Sequence, residues 1–211
     1  RDHDPNRQVF WGDLHVHTNL SFDAAAIHSG ATPRDAYDFA RGKAVAFWPI
    51  EVGRPVGTLR IDRPLDFVAV TDHAEFLGEQ RICRTPGAPG FDSDHCRQAR
   101  ADPAIARSRL GLSITPETPQ RIASICGEDG RRCPEYARGP WQEIGAAADA
   151  AYDRSARCTF TTFKGYEYTG LPTTSNYHRN VLFRNENVPE TPVSYFDAPY
   201  DSALWERLDA T

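Results

Sequence analysis

Apolar and polar positions first organise themselves at residues 8–17, QVFWGDLHVH, which reads as a strand with polar residues at its end. TPRDAYDFARG then predicts a helix. Thr32 serves as N-cap, Pro33 takes the first helical position, Asp35 puts negative charge in the first turn and Gly42 terminates it. The continuous apolar run in LDFVAVTDH, residues 65–73, suits a strand buried on both faces, as in a parallel sheet, and again ends in polar residues. From Pro140, PWQEIGAAADAAYD reads as a helix, followed by strands in CTFTTFKGYEYTG and YHRNVLFRN and by the beginning of a helix in DSALWERLDAT. Strands and helices thus alternate at both ends of the chain. The expected class is α/β, with ligands at the C-terminal edges of parallel strands.

Residues from about 80 to 135 interrupt this pattern. They are rich in Pro, Gly and Arg, have little apolar periodicity, and are expected to form an irregular insertion in a single domain over 1–211. One short helix is predicted where Thr118 and Pro119 precede QRIASICG. The insertion holds Cys83, Cys96, Cys126 and Cys133, with Cys158 outside it. Disulfides hold segments that bury little apolar surface, whereas the separations of thirteen and seven residues do not suit a structural zinc knot. Four cysteines allow three connectivities, and pairing of sequence neighbours is expected. Disulfides imply an exported mature chain, periplasmic or secreted, with a cytoplasmic protein as the alternative. The stretch RTPGAPGFDSDHCRQARADP is either a lid over a site or a surface elaboration.

Composition narrows the partners. With 40% hydrophobic and 25% charged residues and a net charge of -5, the 211-residue chain is globular and offers no basic surface to nucleic acid. No apolar run approaches the roughly 18 residues of a membrane span, and RDHDPNRQ is too polar for a signal sequence.

Candidate chemistry sits at the strand ends. His15 and His17, two apart on a strand, face the same side and can grip one metal ion. A lone strand histidine is more often a core or surface residue, but Asp72 and His73 fall at the end of a second buried strand, Glu167 at the end of a third and His178 near the start of YHRNVLF. Burying a carboxylate among imidazoles is costly, and a shared cation offsets the cost.

GDLHVHT followed by SFDA, then DFVAVTDHAEF, GYEYT and YHRNVLF, resembles the polymerase and histidinol phosphatase (PHP) superfamily of metal hydrolases, and more closely its DUF3604 group. The resemblance covers residues 8–79 and 159–185. It implies a distorted (β/α)7 barrel whose rim holds two or three divalent ions, with zinc, manganese or iron all suiting mixed nitrogen and oxygen ligands. By this resemblance His15 and His17 bind one metal, Glu167 bridges two and His178 serves the second, while Asp23 and His73 help to hold a third. Asp72 orients its neighbours or ligates directly. The family pattern adds later ligands, a histidine and a terminal Asp-x-His; the sequence ends before both, so a barrel incomplete at its C-terminus is expected.

The implied activity is hydrolysis of a phosphate ester on an anionic small molecule by a metal-activated water. An amide, lactone or sulfate ester as the bond cleaved, and a non-catalytic metal-binding piece of a longer protein, are the alternatives. Asn180 shares the face of His178 and is a candidate for substrate contact; Arg179 could clamp an anion, but strand alternation turns it the other way. His28 reads as a solvated loop residue before a pocket residue, and His3 and His95 have no supporting context.

Overall fold

The first strand forms where the patterning places it but is shorter: β1 spans Gly12–Val16 in the computed structural model, which describes residues 8–50 and 52–210. His3 and the last residue of the expected C-terminal helix, Thr211, lie outside the described residues. Ahead of β1, Val9, Phe10 and Trp11 are exposed. A short helix α1, Phe22–Ala26, follows the loop after β1 and was not signalled by the patterning.

Helix α2, Pro33–Ala40, is built as its sequence dictates. Thr32 Oγ1 accepts from Asp35 N at 3.2 Å, and Asp35 Oδ2 accepts from Thr32 N at 2.9 Å, so two otherwise unpaired donors are satisfied reciprocally. Gly42 follows the helix with φ of 80°, a conformation costly for a residue with a Cβ. Thr32→Ala is expected to cost about 1 kcal/mol, read as a lower urea midpoint at unchanged slope; an unaltered midpoint would show that the capping box adds nothing.

The chain continues through a small antiparallel pair, β2 (Val45–Ala46) and β3 (Thr58–Leu59), and then β4, Phe67–Val70. The following stretch is not irregular. It carries α3 (Leu77–Arg84), α4 (Asp94–Ala101), α5 (Pro103–Ser113) and α6 (Ala123–Cys126). Two of these start on ordinary caps: Ser93 Oγ accepts from Cys96 N, and Asp102 accepts from Ala104 N and Ile105 N ahead of Pro103. Apolar periodicity is weak because their buried apolar side chains are few and divided between two cores, Leu110 in one and Ile82, Cys83 and Cys96 in the other. Thr118 does not cap α6, which begins after Ile122.

Helix α7, Arg132–Ala151, starts well before Pro140, and the proline lies inside it at the loss of one backbone hydrogen bond. Burial of Trp141, Ile144, Ala148 and Ala151 along one face holds the helix against the sheet. Then come β5 (Thr161–Gly170), a 3-10 turn at Pro172–Thr174, β6 (Tyr177–Phe183) and α8 (Asp201–Asp209).

The fold is mixed α/β, with a four-stranded sheet in the order β1-β4-β5-β6. β1, β4 and β5 run parallel, whereas β6 is antiparallel to β5. The sheet curls into a half-barrel: Asn180 Nδ2 of β6 donates to the Leu14 carbonyl of β1 at 2.9 Å, although these strands are its two edges. The main core, including Tyr37, Trp141, Ile144, Tyr166 and Tyr168, lies between the sheet and helices α2 and α7. A second, small core joins Ile82 and Ile125 to the disulfides Cys83–Cys96 and Cys126–Cys133, the neighbour pairing expected from sequence. Cys158 is free and exposed. At Gly78 a Cβ would fall 1.9 Å from the Cys133 carbonyl oxygen, so the close approach of α3 to the start of α7 requires glycine there. No helix among the described residues is long and apolar enough to cross a membrane.

Candidate metal centre

Parallel pairing fixes the centre of the site. Past the end of β4 the chain stays paired with β5: Glu167 N donates to the Asp72 carbonyl at 3.1 Å and Ala74 N to the Glu167 carbonyl at 2.9 Å, which sets His73 beside Glu167. β1 brings His15 and His17 to the same edge on one face. Because β6 runs antiparallel, its start, not its end, reaches that edge, and Thr169 lies opposite His178. Three parallel strand ends and one antiparallel strand start therefore converge.

Glu167, fully buried, is the hub. Its Oε2 lies 3.0 Å from His15 Nε2, 2.6 Å from His17 Nε2 and 3.8 Å from His73 Nδ1. Its Oε1 abuts His178 Nδ1 out of hydrogen-bonding alignment, so this buried oxygen has no hydrogen bond among the described residues. Beside this hub, Asp23 Oδ2 is 2.9 Å from His17 Nδ1 and 3.6 Å from His73 Nε2. Ser21 Oγ and Ala24 N both donate to Asp23 Oδ1, at 2.6 and 2.7 Å, and fix the carboxylate from behind.

The electrostatics follow from this crowding. Burial alone would lower the His17 pKa, but each ring nitrogen faces a carboxylate, Asp23 on one side and Glu167 on the other, and together they push it to about 10. Burial would raise Asp23 and Glu167; hydrogen bonds, chiefly from His17, hold both below the usual carboxylate range. Without a cation, two carboxylates thus retain a protonated imidazole between them.

Three overlapping groups, His15–His17–Glu167, His17–Asp23–His73 and His73–Glu167–His178, each bring their donor atoms within 4.8 Å of one another. Each mixes imidazole nitrogen with carboxylate oxygen, a donor set that suits a borderline divalent ion. The sharing of Glu167 between two groups, and its unsatisfied Oε1, fit a bridging carboxylate. A fourth grouping, Glu79 with Cys126 and Cys133, fails on chemistry, since both sulfurs are committed to a disulfide.

All six sequence-predicted ligands, His15, His17, Asp23, His73, Glu167 and His178, are thus brought together. Asp72 points its oxygens at Thr18, accepting from Thr18 N at 2.5 Å and Thr18 Oγ1 at 2.7 Å, and burial pushes its pKa up to about 6. Arg179 is not brought to the cluster: its guanidinium pairs with Asp201 at 3.3 Å and lies over Tyr177, on the face opposite His178 as alternation requires. Asn180 donates to Leu14 and so braces the curl of the sheet. His28 is an exposed loop residue.

Sequence reasoning missed three supporting groups. Thr169 Oγ1 lies 2.7 Å from His73 Nδ1 and 2.9 Å from His178 Nδ1; with a single hydroxyl proton it donates to one ring and accepts from the other. Its position two residues after Glu167 on a strand was a usable signal. Glu75, fully buried with its pKa raised to about 7 by burial, accepts from Thr169 N at 3.0 Å and Tyr195 N at 3.2 Å. Arg107 and Ser108 of α5 face a cleft of about 320 Å³ that Asp23, His73, Thr169 and His178 also line. No local pattern links α5 to this edge.

Residues 4–211 match the model of the DUF3604 family, which is described as a protein of unknown function. Comparisons with curated proteins and with solved structures give no match.

Proposed function

This chain belongs to the DUF3604 family, and from that premise and the carboxylate-centred histidine cluster we propose that it is a metal-dependent hydrolase of the PHP type that cleaves a phosphate ester. The observation that carries the reading is the convergence of His15, His17 and His178, from opposite edges of the sheet, on the one buried carboxylate of Glu167. On this reading the curled sheet is part of a distorted (β/α)7 barrel, and the protein works in the periplasm or outside the cell, a location with which the two disulfides are compatible.

Zinc, manganese or iron ions, two or three in number, would supply a water activated near neutral pH and polarise the bond under attack. The chain's own residues do the rest. Glu167 sets the spacing between the His15–His17 side and the His73–His178 side. Asp23 orients His17, and Ser21 orients Asp23. Thr169 holds His73 and His178 in fixed rotation, and Asp72 holds the turn that follows His17 through Thr18. The cleft beside His73 and His178 receives the small anionic substrate.

Asp72→Ala should weaken metal affinity by roughly 10- to 100-fold, the usual effect of removing a residue that orients a ligand, measured by competition with a chelator; unchanged affinity would remove Asp72 from the site. The reading itself is tested by assaying phosphate monoesters and diesters against a sulfate ester, a lactone and an amide, with each metal and with chelator. Metal-dependent turnover confined to the phosphate esters is expected. Turnover of another bond, or none by metal-loaded protein, would contradict it.

A further inference from the structure

We infer that the chamber walled by α1, α3, α4 and α5 is a binding site for a small organic anion with a compact apolar body, anchored by His95 and charged by arginines at its rim. The inference concerns binding alone and does not rest on the hydrolase reading.

His95 is 6% exposed, although it sits in a polar segment, DSDHCRQ, where a solvated side chain would be ordinary. Among the described residues it makes no hydrogen bond and no ion pair, and its ring lines a cavity of about 160 Å³. A ring that lines a cavity without a hydrogen-bond partner presents one donor and one acceptor to whatever fills that cavity. Burial, then the charge of Arg109, lowers its pKa, so at neutral pH it offers one N–H and one lone pair without charge.

The sign of the missing partner follows from the rim. Arg84, Arg100 and Arg107 all line the cavity, and among the described residues none of them forms a salt bridge. Arg84 and Arg100 donate only to neutral groups: Arg84 to the Asn19 carbonyl at 2.8 Å and to Gln80 at 3.2 Å, Arg100 to the carbonyls of Cys83 at 3.0 Å and Phe91 at 2.9 Å. The one carboxylate in the wall, Glu79, pairs with Arg121 at 2.7 Å through Oε1, while its Oε2 has no hydrogen bond among the described residues. Three exposed guanidinium groups therefore stand at the rim of an anion-sized space without a salt bridge among the described residues, and such groups suit a carboxylate.

The remaining wall fixes the body of the ligand. Phe22, Ala26, Ala106 and Leu110 are apolar, and a chamber of this volume takes one aromatic ring, as apolar cavities of about 150 Å³ do. Phe22 and Arg107 also line the cleft of the metal cluster, and Phe22 packs at a tilt against His73 with ring centroids 4.9 Å apart. A ligand in the chamber thus touches the wall of the metal cleft from behind.

The test uses benzoate as the probe and benzyl alcohol as its neutral counterpart, each titrated into the full chain by calorimetry. Benzoate is expected to bind with a dissociation constant below about 1 mM, and benzyl alcohol at least about tenfold more weakly. Arg107→Ala, at an exposed side chain, and His95→Gln, which keeps a donor and an acceptor, are both expected to fold. Arg107→Ala should weaken benzoate about tenfold, and His95→Ala more than His95→Gln. Equal binding of the neutral probe, no benzoate binding by the wild-type chain, or unchanged affinity in both Arg107→Ala and His95→Ala would overturn the inference. None of these outcomes depends on turnover, so the hydrolase reading stands or falls separately.

Discussion

Glu167→Gln is expected to lower metal-dependent turnover by at least about 100-fold, beyond what loss of an orienting residue costs, with the fold intact. The substitution keeps shape and removes charge. Glu167 is fully buried and its two oxygens serve both sides of the cluster, so a neutral amide loses the bridge between them. Stability should change little, because the amide can still hydrogen-bond imidazoles that lose their reason to be protonated. In the metal-free protein, His17 should titrate well below about 10, since one of the two carboxylates that raise it is gone. Metal content, turnover and the His17 titration by NMR check the three parts. Turnover within tenfold of wild type would exclude Glu167 as a bridge.

Reducing both disulfides is expected to cost about 5 kcal/mol, close to 3 for the thirteen-residue separation and somewhat less for the seven. The small core they close contains little else: among the described residues, Ile82 and Ile125 are its only fully buried aliphatic side chains. For a chain of this length the loss corresponds to a fall of roughly 10–20 °C in melting temperature, accompanied by new protease cleavage between α3 and α7. The Cys83→Ala/Cys96→Ala and Cys126→Ala/Cys133→Ala pairs separate the two contributions. A melting temperature and cleavage pattern unaffected by reductant would show that the helices hold one another without the sulfur links.

The histidine and carboxylate cluster was legible because it is written in strand periodicity. His15 and His17 share a face two residues apart, the apolar run before Asp72 and the alternating, aromatic stretch around Glu167 mark strands, and polar residues at their ends mark one sheet edge. Alternation also foretold that Arg179 would turn away from His178. The direction of β6 was not legible, since YHRNVLF has the same pattern read either way, and that direction decides why His178 works from a strand start. The helices of the cysteine region escaped because helix periodicity reports burial on an apolar stripe. There, instead, disulfides and a few small residues do the holding, and only the caps at Ser93 and Asp102 were local signs. Thr18, Glu75 and Arg107 act through contacts distant in sequence, for which no spacing rule exists.

The metal content of the purified protein, by inductively coupled plasma mass spectrometry alongside an intact mass, tests the account at its centre. At least about two equivalents of zinc, manganese or iron per chain are predicted, as a metal-pair mechanism requires, and Glu167→Gln should retain fewer. A chain that is metal-free as purified and takes up no divalent ion on reloading would contradict the account, leaving the four imidazoles and two carboxylates as an ion-pair network around the buried Glu167 alone.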